Sequence, residues 1–552
     1  MKEKYIELME KSLSAYTNEH ISEYFDRVQK EGLTEHGFAR LTANIGILIS
    51  HGRREDLRPI FVEMMNFCCK NMPKTLAAND FTVREILFCL MSLEKYRTFD
   101  IEKIVWWKSY FIEIDRNLCY TKFAKTLDDD PRNWALFTAV SEWMRKVCGL
   151  CDTEEFVEFQ LDVQLKRFDE NGQYHDYEIN DHPYQPIVYD IVPRFLVAIL
   201  IHFGYRGKYY EKLRSLMKKA AEITLNYISV NGELPFGGRS NQFINNDSQL
   251  LTYLEFMANI FYEDGEIEKA KQCKARIKQL VEDMEMWLSK SPIYHIKNRF
   301  PLETRFGCED YGYFDKYMIT AASNIYPAYL MCNEDIPCGK PDESPVTMET
   351  SQYFHKLFMR AGGYFAEFDL NADPHYDCSG LGRLHKKDAP SVLCISVPCP
   401  KHPNYVITVD DPADISICPG YKKDGEWVFA TEGLHKVLSH SAYEDRAEAE
   451  IACGDVKARY LLDSTGMKVT LSGDGELALM LPALIFDGEK ESRITHGGNS
   501  LEIEFEGYVC RYTSNGSIED LLREGGNRNG IYHAYFAKGA CGLEVKIEIF
   551  KK

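Results

Sequence analysis

Asp335-Ile336-Pro337-Cys338-Gly339-Lys340-Pro341-Asp342-Glu343-Ser344-Pro345 divides this chain into two regions of different side-chain period. Three prolines among charged and small residues allow neither a helix nor a central strand here. Upstream, apolar residues recur every three or four positions. Leu213, Leu216, Met217, Ala220, Ile223 and Tyr227 do so in 209–229. Ile267, Ala270, Cys273, Ile277, Leu280, Met284 and Trp287 do so in 266–290. This is the spacing of helices with one buried face. Downstream the period is two. Leu543, Val545, Ile547 and Ile549 alternate with charged residues, as do Leu501, Ile503 and Phe505, and Val456, Ala458, Tyr460 and Leu462. Turn residues such as Gly473-Asp474-Gly475 flank these runs, as expected for half-buried antiparallel strands.

The sequence therefore predicts an α+β multidomain protein. A helical domain of stacked antiparallel hairpins, closing as an (α/α) toroid or barrel, occupies residues 1–340. An antiparallel β-sandwich follows over 346–552. Finer elements are also predicted. One is a helix over 153–168 capped by Asp152, with Glu155 three residues on. The others are an apolar helix over 195–201 and a strand over 391–397.

The 552 residues and 45% hydrophobic content suffice for two large cores. A formal net charge of −19 without a basic tract argues against a nucleic-acid partner. An anionic ligand would need a local cluster of cations. No apolar run is long enough to span a bilayer, and residues 1–7 lack a signal-peptide pattern, so no membrane contact and a cytoplasmic location are expected. The 17 cysteines have no framework spacing, which fits reduced thiols. The lone Cys148-x-x-Cys151 pair is too little for a zinc site. No metal or other cofactor is expected. A homo-oligomer is left open.

Candidate chemistry lies in loops between helices. Asn133 and Trp134 sit at a helix start behind Pro131, where an amide can meet a carboxylate or hydroxyl. The loop from Asn171 to Asp190 carries His182, Tyr184 and Tyr189. A Tyr there can move a proton if a neighbouring cation lowers its pKa. The same loop offers Asp176, Glu178, Asp181 and Asp190 as acid–base carboxylates. Leu234-Pro235-Phe236-Gly237-Gly238-Arg239 brings glycines that let backbone approach a ligand and a guanidinium fork for a carboxylate or sulfate. Gln242 and Asn246 would share a helical face if a helix begins near Ser240. In the β region His375, Arg383, His385 and Asp388 flank two glycines, and His385 is a candidate base. Glu309-Asp310-Tyr311 and Asp315-Lys316-Tyr317 are expected to brace the last helices.

This layout resembles the heparinase II/III-like polysaccharide lyases, and also the helical-toroid sugar enzymes grouped as DUF2264. In the lyases an Asn that opens a toroid helix neutralises the uronate carboxylate. Arg132-Asn133-Trp134 stands in the matching place, with Trp where the lyases have His. Tyr189 matches the lyase Tyr but is followed by Asp190 rather than His. His385 and Asp388 fall near the lyases' β-domain His/Asp loop without its full pattern. Gly238-Arg239-Ser240 looks closer to the DUF2264 motif. The resemblance implies an enzyme degrading uronate-containing oligosaccharides or polysaccharides by β-elimination. Asn133 and Arg239 would neutralise the carboxylate, and Tyr189 and His385 would act as acid and base. Trp134, His182, Tyr184, Gln242, Asn246, Arg383 and His375 would contact substrate. The alternative is a glucuronidase-type glycoside hydrolase using the loop carboxylates, and the third reading is a non-catalytic glycan-binding protein.

Overall fold

The computed structural model describes residues 1–552. The first half of the chain forms α1 (Lys2–Ser12), α2 (Asn18–Glu31), α3 (Gly37–Ser50), α4 (Arg58–Asn71), α5 (Asn79–Lys95), α6 (Ile101–Ser109) and α7 (Arg116–Cys119). It continues with α8 (Trp134–Val147), α9 (Glu154–Gln164), α10 (Val188–His202), α11 (Tyr210–Tyr227), α12 (Ile244–Glu263), α13 (Ile267–Leu288) and α14 (Phe314–Met331).

Burial separates these helices into two sets. In α2 only Ile21, Tyr24, Phe25 and Val28 are buried, one stripe at helical spacing. All fourteen residues of α3 are buried, and α5, α8, α10, α12 and α14 are buried around most of their circumference. A helix apolar on every side belongs inside a protein. These six pack in sequence, α3 on α5, α5 on α8, α8 on α10, α10 on α12 and α12 on α14, and α14 returns to α3. The other eight lie outside: α2 and α4 on α3, α6 on α5, α9 on α8, α11 on α10 and α12, α13 on α12, α1 on α13 and α14, and the short α7 against the turn after α4. The result is an (α/α) toroid with a closed inner ring.

The strands start at Val346. A four-stranded antiparallel sheet comes first, β1 (Val346–Glu349), β2 (Lys356–Ala361), β3 (Tyr364–Asp369) and β4 (Gly380–Lys386), in that spatial order. Every residue of β2 and β3 is buried. The two faces serve different cores: Phe358 and Phe365 join the toroid core, while Leu357, Met359, Tyr364 and Ala366 join the β core. Strands covered on both faces lose the polar–apolar alternation. Beyond them an eight-stranded and a five-stranded antiparallel sheet form the sandwich. There the predicted alternation holds, as in Val456–Asp463 and Leu543–Lys551.

Some local expectations are corrected. Residues 391–397 form no strand. Pro390, Pro398 and Pro400 bound the segment, and prolines cannot donate to a ladder. The helix expected over 195–201 begins earlier, at Val188, and takes Tyr189 into its first turn. The N-cap of α9 is Thr153, while Asp152 accepts from the Glu154 N–H at 3.3 Å. No helix is long and apolar enough to cross a membrane.

Candidate active site

Successive inner helices are separated by outer ones, so they run parallel and start at the same end of the ring. A pocket of about 360 Å³ opens there, touched by Arg40 (α3), Phe81 (α5), Phe137 (α8), Val192 (α10), Gln249 (α12) and Asn324 (α14). It continues into a wider vestibule of about 790 Å³. Asn133, Trp134, Tyr189, Tyr311 and Tyr317 line both compartments. Six helix N-termini at this end of the ring add positive potential at its mouth, where the vestibule lies.

Four cations face the vestibule: Lys122, Lys125, Arg132 and Arg239. None of them makes an ion pair. Arg132 and Arg239 both donate to the Tyr177 hydroxyl, at 2.8 and 3.2 Å. The Arg239 guanidinium also lies 4.6 Å from the centre of the Tyr189 ring. In a chain of net charge −19, four unpaired cations on one cleft make it locally positive.

The acids of the vestibule are differently placed. Asp129 caps its own loop through the N–H groups of Lys125 and Thr126, and Asp130 pairs with Arg167 at 2.6 Å. Asp176 is 3% exposed, and its carboxylate accepts from Asn133 alone. Burial pushes its carboxyl above the usual range, while the Asn133 N–H, Arg239 and Arg132 pull the other way. Burial likewise raises the Tyr189 phenol, against Arg239 and a hydrogen bond with Ser240. The Tyr189 hydroxyl stands 3.3 Å from Ser240 Oγ, which in turn is 2.7 Å from the Tyr311 hydroxyl.

The turn bearing Arg239 is held from outside the toroid. Gly237 and Gly238 have φ of 129° and 74°, and a Cβ on Gly238 would meet Pro186 at 2.9 Å. Ser240 and Gln242 also have positive φ, a costly conformation for side-chain-bearing residues. Struts from the sandwich side impose it. The Gly238 N–H donates to Asp377, the Phe236 N–H to Glu367, and Arg383 to the Leu234 carbonyl at 2.6 Å. Lys356 sits 3.6 Å over the Phe236 ring and 2.7 Å from Asp369. Glu309 accepts from the Ser240 N–H and pairs with Arg528, both at 2.6 Å.

Asn133, Trp134, Tyr189, Arg239, Asn246 and Asp176 thus come together. His182 and Tyr184 are one layer back, with His182 stacked 4.7 Å from Tyr177 and Tyr184 edge-on to His182. The other expected residues lie elsewhere. His385 is on β4, 1% exposed, with both ring nitrogens unpartnered and burial depressing it to about 3. It lines neither compartment of the cleft. Arg383 is fully buried against Glu367 at 3.2 Å. His375 is exposed and bonded to Asp373. Because α12 starts at Ile244, Gln242 does not share a face with Asn246. It lines a separate cavity of about 590 Å³ between helices and sheets, with Asp388. Of the four loop acids only Asp176 lines the cleft. Glu178 and Asp181 are exposed, and Asp190 is fully buried against Arg194 at 2.6 Å.

Lys122, Lys125, Tyr177, Tyr311 and Tyr317 were not expected here. Lys122 and Lys125 stand outside the motifs read above, Tyr177 lies in the Asn171–Asp190 loop among residues not singled out, and Tyr311 and Tyr317 belong to segments expected to brace the last helices.

No family model matches the chain. No curated protein matches it either. Among solved structures, a heparinase III, the BT4657 gene product, is 10% identical with a TM-score of 0.47, covering 99% of this chain and 77% of that one. A glycosyl hydrolase family 88 protein from Bacteroides vulgatus is 11% identical with a TM-score of 0.38, covering 60% of this chain and 99% of that one. A polysaccharide lyase is 13% identical with a TM-score of 0.35, over 60% and 97%. The functional reading rests on the cleft itself.

Proposed function

We propose that this protein is a carbohydrate-active enzyme that cleaves uronate-containing oligosaccharides by β-elimination. The observation that carries this reading is the set of unpaired cations, Lys122, Lys125, Arg132 and Arg239, on a cleft that also holds Tyr189, Trp134 and one buried carboxyl, Asp176. Arg239, Arg132 and the Asn133 amide would neutralise the C6 carboxylate and so acidify the C5 proton. Asp176, whose raised proton affinity makes it a stronger base than an ordinary carboxylate, would take that proton. Tyr189, kept protonated by burial, would give its proton to the departing O4 as the C4–O4 bond breaks and C4=C5 forms.

A glycoside hydrolase is the second reading, favoured by the same buried Asp176 acting as general acid. It requires a second carboxylate. Asp129 and Asp130 are the other acids lining the vestibule, and both are engaged by neighbours.

Incubation with a panel of glycuronan oligosaccharides separates the readings. Elimination yields new reducing ends together with the ultraviolet absorbance of an unsaturated uronate. Reducing ends without that absorbance would sink elimination and support hydrolysis. Neither signal across the panel would leave a glycan-binding protein.

A further inference from the structure

The narrow pocket on the ring axis has a lining that the reaction above does not use. Asn245, Gln249 and Asn324 are 7, 5 and 1% exposed and reach into it. Asn245 Oδ1, Gln249 Oε1 and Asn324 Nδ2 have no hydrogen-bond partner, nor does His36 Nδ1 at the same pocket. The side chains of Gln249 and Asn324 make no hydrogen bond to the protein at all. Buried amides without partners are costly and rare, and several around one cavity point to a ligand that completes them. Oxygen and nitrogen of such amides can be exchanged by a flip, yet either way the set offers both donors and acceptors.

The charge of this pocket differs from that of the vestibule. Its two cations are paired, Arg40 with Glu85 at 3.1 Å and Lys316 with Glu35 at 3.9 Å. The pocket is also blind. Beyond Arg40 the axis is filled by Glu85 and Arg84, 3.0 Å apart, and by Asn44 bonded to Ser323 at 3.0 Å. Phe81, Trp134 and Phe137 supply apolar faces. Neutral amides and aromatic rings around a space of about 360 Å³ that opens only toward the vestibule suit one uncharged sugar ring.

We propose that the axial pocket is a terminal subsite for a single neutral sugar bearing hydroxyl or N-acyl groups, with the adjoining anionic unit held in the vestibule. This rests on the proposed function. Asn133, Trp134 and Tyr189 line both compartments, so the bond joining the two units lies across them. Elimination there breaks C4–O4 of the uronate as its C5 proton leaves. The neutral unit departs as a free reducing monosaccharide, and the remainder begins with the unsaturated uronate. Action is at the chain end and stops after one unit, because the new end is no longer neutral.

Two measurements on the full chain test this. Calorimetric titration with N-acetylglucosamine, methyl glucoside and glucuronate does not depend on turnover. At least one neutral sugar should bind, and its affinity should fall about tenfold in Gln249→Leu or Asn324→Leu while glucuronate binding is kept. Neither substitution removes a hydrogen bond within the protein, so melting temperatures should hold. No binding of either neutral sugar, or equal binding by both variants, overturns the subsite even if uronate chains are cleaved. The second measurement uses reducing-end-labelled hexasaccharides of alternating N-acetylglucosamine and glucuronate with N-acetylglucosamine outermost. The expected labelled product is the pentasaccharide alone. Shorter labelled fragments from the first turnovers would overturn chain-end action and leave elimination standing. No cleavage at all counts against the enzymatic reading, and the titration still decides the subsite.

Discussion

Asn133 donates twice to Asp176, from its main-chain N–H and from its side-chain amide, each at 3.3 Å. Asn133 is the N-cap of α8, and Asp176 comes from the loop before α10. The pair ties two walls of the vestibule and presents one carboxyl to it.

Asp176→Asn should lower turnover by about 10²–10⁴-fold, the usual weight of a general acid or base, with little change in KM. Its effect on stability should depend on pH. The folded carboxyl keeps its proton to a higher pH than the ordinary value of 3.8. The unfolded chain therefore loses that proton first, and native stability falls as pH rises through this window. The Asn variant lacks this loss, so its melting temperature relative to the native protein should improve from acid to neutral pH. A constant difference across pH would contradict the assignment.

Arg239→Ala should weaken glucuronate binding by roughly 10–100-fold, the worth of a hydrogen bond to a charged group. Arg239 is bonded to the Tyr177 hydroxyl and to no carboxylate. Melting should therefore change little. Titration and thermal melts report the two effects separately, and a large loss of stability would mark Arg239 as structural.

Glu367 lies wholly buried between Lys356 and Arg383. Burial pushes its carboxyl up from 4.5 to about 7, against the pull of Arg383 and Lys356. Between those values the folded protein holds a proton that the unfolded chain has lost, so stability falls as pH rises through the window. Glu367→Gln should flatten this part of the stability curve, measured by urea denaturation at several pH values. An unchanged slope would place the titration elsewhere.

Gly46 of α3 is a point of close approach between α3, α4 and α5. A Cβ there would stand 2.3 Å from Cys89 Sγ on α5 and 2.5 Å from the Phe61 ring on α4. Gly46→Ala should cost about 1–3 kcal/mol through overpacking. Equilibrium denaturation measures it, and a neutral result would mean that the ring can relax.

The helices plainest in the sequence, 209–229 and 266–290, proved to be outer ones, α11 and α13. Only a helix with a wet face shows a stripe. The inner helix α3, Gly-Phe-Ala-Arg-Leu-Thr-Ala-Asn-Ile-Gly-Ile-Leu-Ile-Ser, shows none because every residue is covered. The same effect hid the placement of His385: apolar and polar residues mix along β4 because both of its faces are buried. Loop composition did indicate Asn133, Tyr189 and Arg239. It gave no sign of Lys122, Tyr311 or Gln249, which are remote along the chain and meet only when the ring closes.

Gly238-Arg239 and Gly382-Arg383 read alike in the sequence, each a glycine followed by an arginine in a polar neighbourhood. The sequence by itself determined that helices precede strands, because side-chain period is a local property. It could not say which arginine stays free. In the folded protein Arg383 meets Glu367 in the interior, while the strained turn held by Asp377 and Glu309 turns Arg239 toward the cleft without a carboxylate partner. Tertiary structure decided this, because whether a charge is paired or available depends on residues distant in sequence that burial brings within a few ångströms.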